Sequence, residues 1–524
     1  MNFRVWLGVV ATLALPMSAA VAQTASDPAV AELLKRLDEQ DKRIKSLEQK
    51  LQAAQPSGGG AAVSAATTAA SDTGNAAEAG AASGSAPSVS PGAGAAAVSQ
   101  PGVSQLGPQT SNSVAPAPSS RSGARQLALQ SADGANIIRF RANLQVDGRW
   151  FSDKVTPQSA DTFVVRKARP YLEGTVDNIY DFRVMPDFGQ GKAILVDAYV
   201  AARFQPWFTV QAGKFKGPVG LERLQPDQYN RFLELGLPSD LVPNRDLGVQ
   251  LGGDLFGGAL SYAVGYFDGV SDGSSTDANV SPDVDNDGKK DVEGRLFSQP
   301  FLASGNPYLS GLGFGVGGTY VNATGSAANT LLASYKTTST QSFFSYRTGT
   351  SATYADGRRE RLAPQFFYYA GSFGLLGEYV RSSQDVSRQV STVVKRSDTM
   401  DNSAWQLSAS WFLTGERESY NNFVPKSRFT PGRKGSGWGA WELVARVQEL
   451  RIDEAAFAGG ASSFADPSVA PRRAVAYGIG LNWYLDEYVR WMFDYEHTRF
   501  DGGGTGGTDR PDERAFLTRF QLAF

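Results

Sequence analysis

The chain has 524 residues, of which 57 are glycine, none is cysteine and only His497 is histidine. Cysteine nucleophiles, zinc sites of the Cys/His type and any Ser-His-Asp relay without His497 are therefore excluded. The 50 Lys and Arg residues against 52 Asp and Glu give a net charge of −2, which indicates neither nucleic-acid binding nor an acidic solvating tail.

Residues 1–22 have the pattern of a secretory signal peptide. Arg4 precedes an apolar run at 5–15, and a small-residue cleavage site ends at Ala22, so the mature chain is expected to start near Gln23. No later stretch approaches the roughly 18 uninterrupted apolar residues of a membrane-spanning helix. The sequence therefore predicts an exported protein that is either soluble or enters the outer membrane as a β-barrel.

Two further segments precede the bulk of the chain. Residues 27–53 are predicted to form a short periplasmic coiled coil, with a single amphipathic helix lying on another domain as the alternative. Residues 54–125 consist mainly of Ala, Gly, Ser and Pro and are predicted to be a disordered, flexible linker, because they cannot bury enough apolar surface. The apolar heptad positions of the coiled coil are Val30, Leu33, Leu37, Ile44, Leu47 and Leu51.

Residues 126–524 alternate apolar and polar side chains in short segments separated by turns. In residues 138–150 one face is apolar and the other carries Arg, Asn, Gln and Asp. A soluble β-sandwich alternates in the same way, but aromatic segment ends, long polar loops and a final strand ending at Phe524 favour a membrane barrel. We therefore predict an all-β, transmembrane antiparallel β-barrel of about 16 strands, preceded by the coiled-coil helix and the disordered spacer.

The predicted water-facing side of the first strands is strongly basic. Guanidinium and ammonium groups are good donors to phosphate oxygens, so this face is a candidate anion path. The alternative is that acidic residues on the same face pair with the cations and produce a general pore. The cations are Arg139, Arg141, Arg149, Lys167, Arg169, Arg183 and Arg203; the acids are Asp147, Glu173, Asp181, Asp187 and Asp197.

Three runs in this region resemble the phosphate-selective porin O and P family of Gram-negative outer membranes. They are RKARPYLEG at 166–174, VDAYV at 196–200 and VQAGKFKGPVGLE at 210–222. The resemblance extends from about Asn136 to Phe524. It implies a 16-stranded trimeric barrel, a loop folded into the lumen, and a ladder of cations leading to a constriction that binds phosphate or polyphosphate.

Matched by position, the resemblance assigns further residues to the pore. Arg166 and Lys167 match the family's paired cations, and Asp197 matches an acidic residue of a neighbouring strand. Alternation places Arg166 opposite Lys167, so that a bulge or a loop must intervene if both reach the pore. The same difficulty applies to Lys214. The loop from Gly217 to about Arg245 is the expected constriction loop, with Lys214 and Lys216 at its entrance and Arg223 and Arg231 within it.

A second candidate site lies in an acidic loop between residues 270 and 295. Asp283, Asp285, Asp287 and Asp291 have the spacing of a calcium loop, with glycine at the sixth position. The twelfth position is Gly294 instead of Glu, so a solvated acidic loop is the alternative to a structural Ca²⁺ site. No other cofactor is expected.

The sequence thus favours a passive anion-selective porin of the Gram-negative outer membrane, without catalytic turnover. Its expected partners are phosphate or other anions, outer-membrane lipid and two further copies of the chain in a homotrimer, with no nucleic acid. Three alternatives remain open: a general or sugar-permeable porin, a barrel hydrolase that uses His497, and an envelope tether whose N-terminal region reaches peptidoglycan.

Overall fold

The computed structural model describes Lys42 and residues 127–524, with gaps at 153–159, 279–281, 422–423 and 435. The chain divides into two compact units, residues 1–99 and 100–524, and only the second is described beyond a single residue. The predicted signal peptide, coiled coil and linker lie, apart from Lys42, outside the described residues. None of the helices that the structure describes has the length and apolar character needed to cross a membrane.

The described part of the second unit consists almost entirely of β-strands. In chain order they are β1 (Leu127–Gln130), β2 (Ile137–Phe151), β3 (Thr162–Val176), β4 (Tyr180–Asp187), β5 (Ile194–Gln205), β6 (Phe208–Lys216), β7 (Arg245–Leu255), β8 (Leu260–Phe267), β9 (Asp291–Ser298), β10 (Leu312–Thr324), β11 (Ser334–Lys336), β12 (Ser342–Ser345), β13 (Thr353–Ala370), β14 (Phe373–Gln389), β15 (Lys395–Phe412), β16 (Ala440–Arg451), β17 (Pro471–Tyr484), β18 (Val489–Gly502) and β19 (Glu513–Ala523).

Helical structure in the described part of residues 127–524 is limited to short turns. One α-helix, α1 (Leu221–Leu224), accompanies short 3-10 helices at Gly189–Gly191, Asp227–Tyr229, Leu237–Leu241, Phe256–Gly258, Thr276–Ala278, Glu454–Ala456, Gly460–Ser462 and Thr505–Gly507. These turns lie in the connections between strands, and they add little to the all-β character of the unit.

Sixteen of the strands close into one antiparallel barrel. Strands β2 to β10 pair with their neighbours in chain order, β10 pairs with β13, and β13 to β19 continue the sequence of pairs. Strand β19 then returns to β2, with Ala515 opposite Phe151, so the sheet keeps no free edge. Strand β1 pairs with the first residues of β2, and β11 and β12 form a separate hairpin. The predicted antiparallel barrel of about 16 strands is confirmed.

Side chains alternate between the outer and inner faces of the barrel. In β18, Trp491 and Tyr495 are exposed on the outer face, whereas Arg490, Asp494 and Glu496 are buried inside. A closed sheet satisfies its backbone groups internally, and an apolar outer face suits hydrocarbon while a polar inner face suits water. The alternation that predicted a membrane barrel is therefore present in the folded chain.

Aromatic side chains gather at both ends of the outer face. Trp441 and Trp483, where β16 begins and β17 ends, stack with ring centroids 5.0 Å apart, and Phe429 lies 4.8 Å from Trp483. At the opposite end of the barrel, Trp150 and Phe163 meet edge to face at 5.7 Å. Such belts are typical of the two interfaces of a membrane barrel.

The connections differ in length at the two ends. The turn between β3 and β4 is closed by Asp177 and Asn178 at φ 53° and 57°, the left-handed pair that a tight hairpin needs. Other connections at this end are also short, except for 299–311 between β9 and β10 and the long segment 413–439 between β15 and β16. Long connections at the opposite end are 217–244, 268–290, 325–352 and 452–470.

The connection 217–244 between β6 and β7 folds into the barrel and is called the constriction loop below. Its backbone reaches strands on the far side of the lumen. The N–H of Leu233 donates to Asp494 at 2.7 Å, and the N–H of Leu237 donates to Gln448 at 2.8 Å. Because these acceptors belong to β18 and β16, the loop crosses the interior of the barrel.

An apolar cluster fixes the constriction loop on this far side. Leu237 and Leu241 are 1% and 0% exposed, and they pack with Tyr335 and Phe344 of the connection 325–352. Burying a leucine side chain stabilises a fold by about 1.5–3 kcal/mol. The inward residues of the wall in the same cluster are Ala363, Val380, Val386, Met400, Ala404, Leu450, Ala474, Ala476 and Phe500.

Candidate functional site

The side of the lumen opposite the apolar cluster is lined by cations, and this set is called the basic wall. It faces the side chains of the constriction loop, so that loop and wall together form the candidate site. The basic wall consists of Arg139, Arg141, Arg149, Arg166, Lys167, Arg169, Arg183, Arg203, Lys216, Arg245 and Arg519, from β2 to β7 and β19.

Carboxylates of the barrel strands lie between several cations of the basic wall. Glu173 accepts from Arg141 at 2.6 Å and from Arg183 at 2.7 Å. Asp197 accepts from Arg245 at 2.8 Å and lies 3.7 Å from Arg183. Each carboxylate thus bridges two cations from different strands, and the cations form a ladder along the wall.

Two further cations of the basic wall, Arg203 and Arg139, each lie beside a single carboxylate. Arg203 pairs with Asp181, which also accepts from the hydroxyl of Thr175 at 2.7 Å. Arg139 is half-buried in β2, directly opposite Glu173 of β3. The acids that could pair with the cations in the general-pore alternative therefore do lie among them.

The other six cations of the basic wall form two groups of three, and each group surrounds one carboxylate of the constriction loop. In the first, called the Asp227 cluster, Asp227 contacts Nζ of Lys167 at 2.8 Å, Nζ of Lys216 at 3.4 Å and the guanidinium of Arg169. Arg169 also donates from Nε to Asp187 at 2.6 Å. The cluster therefore combines three cations with one carboxylate from the loop and one from the wall.

The second group is called the Glu234 cluster, and its three cations are all arginines. Glu234 accepts from Arg166 through two bonds of 2.6 and 2.9 Å, from Arg149 at 2.9 Å and from Arg519 at 3.3 Å. Asp147 of the wall accepts from Arg149 at 2.9 Å and from Arg519 at 2.7 and 2.8 Å. Here too, three cations surround one loop carboxylate and one wall carboxylate.

The electrostatics of both clusters hold the loop carboxylates in the ionised form. Burial by itself raises the pKa of Asp227, but Lys167, Lys216 and Arg169 lower it, and the net pKa lies well below the ordinary value. Burial likewise raises the pKa of Glu234, but its three arginines lower it by more, so the net pKa lies well below the ordinary range. A carboxylate beside several cations keeps its charge in this way.

A β-bulge allows Arg166 and Lys167 to point into the barrel together. The register of β2 and β3 shifts at this point and leaves Arg166 as an extra residue. Before the bulge the exposed outer side chain is Val165, and after it Leu172, so the parity of the strand changes. The bulge that the sequence required for both cations is therefore present.

Lys214, Arg223 and Arg231, also expected in the pore, do not join either cluster. Lys214 is 2% exposed, and its Nζ lies 2.6 Å from Asp283 in the connection 268–290. Arg223 donates to the backbone carbonyl of Ser239 within the constriction loop at 2.5 Å. Lys214 therefore pairs with the connection 268–290 and not with the carboxylates of the constriction loop.

Arg231 points instead toward the far wall and the connection 413–439. It contacts Glu418 of that connection and lies 2.9 Å from Glu442 of β16. Tyr420 of the same connection donates its hydroxyl to the carbonyl of Leu221 at 2.5 Å. The segment 413–439 therefore enters the barrel from the short-turn end and braces the constriction loop.

The structure does not bring the four carboxylates of the acidic loop together. Asp283 binds Lys214, Asp285 binds Lys290, and Asp287 accepts from the backbone N–H of Lys289 and Thr324. Asp291 lies inside the barrel wall at 3.2 Å from Arg361. Within the described residues, no cluster of three or more acidic or histidine side chains could hold a metal ion, so the calcium-loop arrangement is not formed.

His497 lies on the outer face of β18. Its Nε2 is 2.8 Å from Asp512 of the connection between β18 and β19. This face also carries Trp491 and Tyr495. The histidine of the hydrolase alternative is therefore placed away from the lumen and the basic wall.

Sequence reasoning missed Arg519, Asp227 and Glu234. Strand parity could have identified Arg519, because Phe516 and Phe520 mark the outer face of β19 and Arg519 therefore points inward. The two loop carboxylates carry no such signal. Their contacts depend on how the constriction loop folds across the lumen, and loop positions have no strand parity.

The chain is similar to several solved structures and to one family of sequences. Among solved structures, the chain is similar to OmpT of Vibrio cholerae, with 11% identity and a TM-score of 0.44 over 76% of this chain and 100% of that one. It is similar to DcaP of Acinetobacter baumannii, with 10% identity and a TM-score of 0.44 over 76% and 99%. It is also similar to an anion-selective porin from Comamonas acidovorans, with 10% identity and a TM-score of 0.43 over 74% and 100%.

Similarity at this level carries no argument about what passes through the barrel, and no curated protein matches the chain. The sequence profile described as phosphate-selective porin O and P, in contrast, matches residues 138–524. The matched region contains all sixteen barrel strands except the first residue of β2. The chain therefore belongs to the phosphate-selective porin O and P family, which places it among the outer-membrane porins.

Proposed function

We propose that this protein is a passive, anion-selective porin whose basic wall binds phosphate or polyphosphate on its way through the outer membrane. The observation that carries the proposal is the charge of the basic wall. Its eleven cations face seven carboxylates, namely Asp147, Glu173, Asp181, Asp187, Asp197, Asp227 and Glu234. An excess of positive charge therefore remains along one side of the lumen.

The chemistry of the two clusters suits an oxyanion. Guanidinium groups offer paired N–H donors that match phosphate oxygens, and ammonium groups add compact point charges. At an effective dielectric constant of about 20, a unit charge about 6 Å from another contributes roughly 3 kcal/mol before desolvation. The carboxylates in each cluster moderate this attraction, so that an anion is held without being trapped, as conduction requires.

The test is to remove two cations that the Asp227 cluster uses. In Lys167→Gln with Arg169→Gln, the reversal potential of single channels in a potassium chloride gradient should move from an anion-preferring value toward zero. Block of the chloride current by added inorganic phosphate should be lost. The matched control is Arg381→Gln, because Arg381 is exposed on the outer face and pairs with Asp401.

A cation-selective wild-type channel would contradict the proposal, as would an unmoved reversal potential in the double variant. Either result would favour the second candidate function, a general or sugar-permeable porin. The carboxylates placed between the cations of the basic wall are the observation that keeps this alternative in view. Flux of a neutral sugar into liposomes separates it, since a general pore passes the sugar and an anion-binding pore favours phosphate.

The remaining expectations concern assembly and export. We propose that a signal peptide ending near Ala22 directs export, that three copies of the chain form a trimer, and that residues 27–53 attach the barrel to the envelope or peptidoglycan across the linker. Deleting residues 23–120 should then leave single-channel conductance within about twofold, because the basic wall lies wholly in residues 139–519. Loss of ion selectivity in a correctly inserted deletion protein would contradict this arrangement.

A further inference from the structure

The Asp227 and Glu234 clusters share one feature that a simple basic pore lacks. In each, the carboxylate at the centre of the three cations comes from the constriction loop, while the second carboxylate comes from the wall. Removing the loop carboxylate from either cluster leaves three cations against one acid. The loop therefore fills the two places on the basic wall where positive charge is most concentrated.

The loop carboxylates contact the wall as a small oxyanion would. Glu234 presents two oxygens to the fork of Arg166, the same bidentate geometry that arginine uses toward phosphate. Asp227 presents one oxygen to both Lys167 and Arg169 and the other to Lys216. An entering phosphate would need the same donors, so the carboxylate and the phosphate exclude each other.

The carboxylates are not what holds the constriction loop in the barrel. Its backbone N–H groups at Leu233 and Leu237 donate to Asp494 and Gln448 of the far wall, and Leu241 is completely buried in the apolar cluster. The side chains of Asp227 and Glu234 can therefore leave the basic wall by rotation or a local shift while the loop stays anchored.

We propose that Asp227 and Glu234 act as tethered competing anions, which occupy the two oxyanion sites of the basic wall and are displaced by the permeating anion. This inference rests on the proposed function and adds a regulatory element to the same site. Because of this competition, the apparent affinity for the anion equals the intrinsic affinity multiplied by the fraction of time for which the site is vacant. It also returns the pore to a charge-compensated state when the anion leaves.

The experiment measures block of single-channel chloride current by inorganic phosphate in Asp227→Asn and Glu234→Gln. Each substitution removes the charge and keeps a hydrogen-bond acceptor of the same shape. We expect half-block at a phosphate concentration about tenfold lower than in the wild-type channel, as for a site that was vacant about one-tenth of the time.

The control variant is Asp240→Asn in the same loop, measured together with the other channels at pH 8. Burial raises the pKa of Asp240 to about 7, so at pH 8 its carboxyl is mainly ionised and the substitution removes a charge. Asp240 accepts from the backbone N–H of Lys336 at 2.8 Å and belongs to neither cluster. Its half-block concentration should match that of the wild-type channel. A drop in this control equal to the drop in Asp227→Asn would overturn the inference, because any charge removal from the loop would then suffice.

The remaining outcomes separate the two proposals. If the wild-type channel is anion-selective and Asp227→Asn and Glu234→Gln leave its half-block unchanged or raise it, the competition is overturned and the proposed function stands. If phosphate blocks only the two variants, the competition is supported in its strongest form. If neither the wild-type channel nor any variant prefers anions or responds to phosphate, both proposals fail.

Discussion

The two sides of the lumen hold the constriction loop by different means. On the basic wall, cations of the barrel bind carboxylates of the loop, as Arg166 binds Glu234. On the far wall, one such pair joins Arg446 to Glu222 at 3.2 Å, but acceptors of the barrel also bind backbone N–H groups of the loop, as Glu378 accepts from Leu221 at 2.7 Å. The far wall also carries the apolar cluster that buries Leu241.

This difference separates the part of the site that can exchange from the part that stays fixed. Contacts between ions can be replaced by dissolved ions of the same charge, and salt screens them where water enters. Dissolved ions cannot replace the contacts of a buried leucine. A buried backbone N–H that loses its acceptor is left without a hydrogen bond, which costs free energy. We therefore expect variants of the far wall to change stability and variants of the basic wall to change selectivity.

The largest effect on stability is expected from the apolar side. Leu241→Ala removes a fully buried side chain from the cluster of Leu237, Tyr335 and Phe344. Large-to-small changes of this kind cost about 2–5 kcal/mol in the free energy of unfolding. Urea titration of the barrel in detergent micelles checks the value.

The control for this prediction is Val393→Ala, which shortens an 88% exposed side chain in the short connection between β14 and β15. It should change the free energy of unfolding by less than about 0.5 kcal/mol. Equal effects of the two variants would remove the distinction between a fixed and an exchangeable side of the lumen.

A second prediction sharpens the comparison through pH. Because its neighbouring cations lower the pKa of Asp227 far below the ordinary value of about 3.9, its stabilisation is present above that value and is lost only as pH falls through the lowered folded pKa. Asp227→Asn should be more anion-selective than the wild-type channel by the same amount at pH 7 and pH 5. The measurement is the reversal potential in a chloride gradient.

A difference between the two channels that shrinks at pH 5 would mean that Asp227 takes up a proton there. The cations of the Asp227 cluster would then hold it less firmly than the contacts with Lys167 and Lys216 indicate. Lys167→Gln, which removes one of those contacts, should raise the pH at which the difference disappears.

The smallest effect is expected at Glu418, beside the far wall. Burial raises the pKa of Glu418, Arg231 lowers it and Glu442 raises it again, leaving it at about 8. The side chain is therefore mainly protonated at pH 7, where Glu418→Gln should leave the reversal potential unchanged. Above pH 9, where the wild-type carboxyl ionises, the variant should become the more anion-selective of the two. Identical reversal potentials at both pH values would contradict this assignment.

Much of the barrel followed from alternation alone. Period-two patterning and a terminal strand ending in Phe524 predicted an antiparallel barrel of about 16 strands, and the structure confirms it. The motif at 166–174 predicted the family, which the profile match confirms. The parity conflict at Arg166 predicted a bulge, and the register shift lies at that residue.

The candidate site divides at the boundary between strands and loops. Strand parity placed Lys167, Arg169 and Arg183 inside, since a side chain of a closed sheet has only two directions available. Loop residues have no such restriction, so the sequence assigned Arg231 to the anion path although the fold brings it to Glu418 and Glu442. The spacing of the acidic loop likewise predicted a shared ion, but its carboxylates have separate cationic or backbone partners.

The sequence by itself thus determined the barrel, the face of each strand and the basic character of one side of the lumen, because these follow from local alternation. Only the tertiary structure decided where the charges of the constriction loop would lie. Asp227 is about 60 residues from Lys167 along the chain, and Glu234 is 285 residues from Arg519. Contacts over such separations depend on closure of the barrel and on the path of the loop across it, which no local pattern encodes.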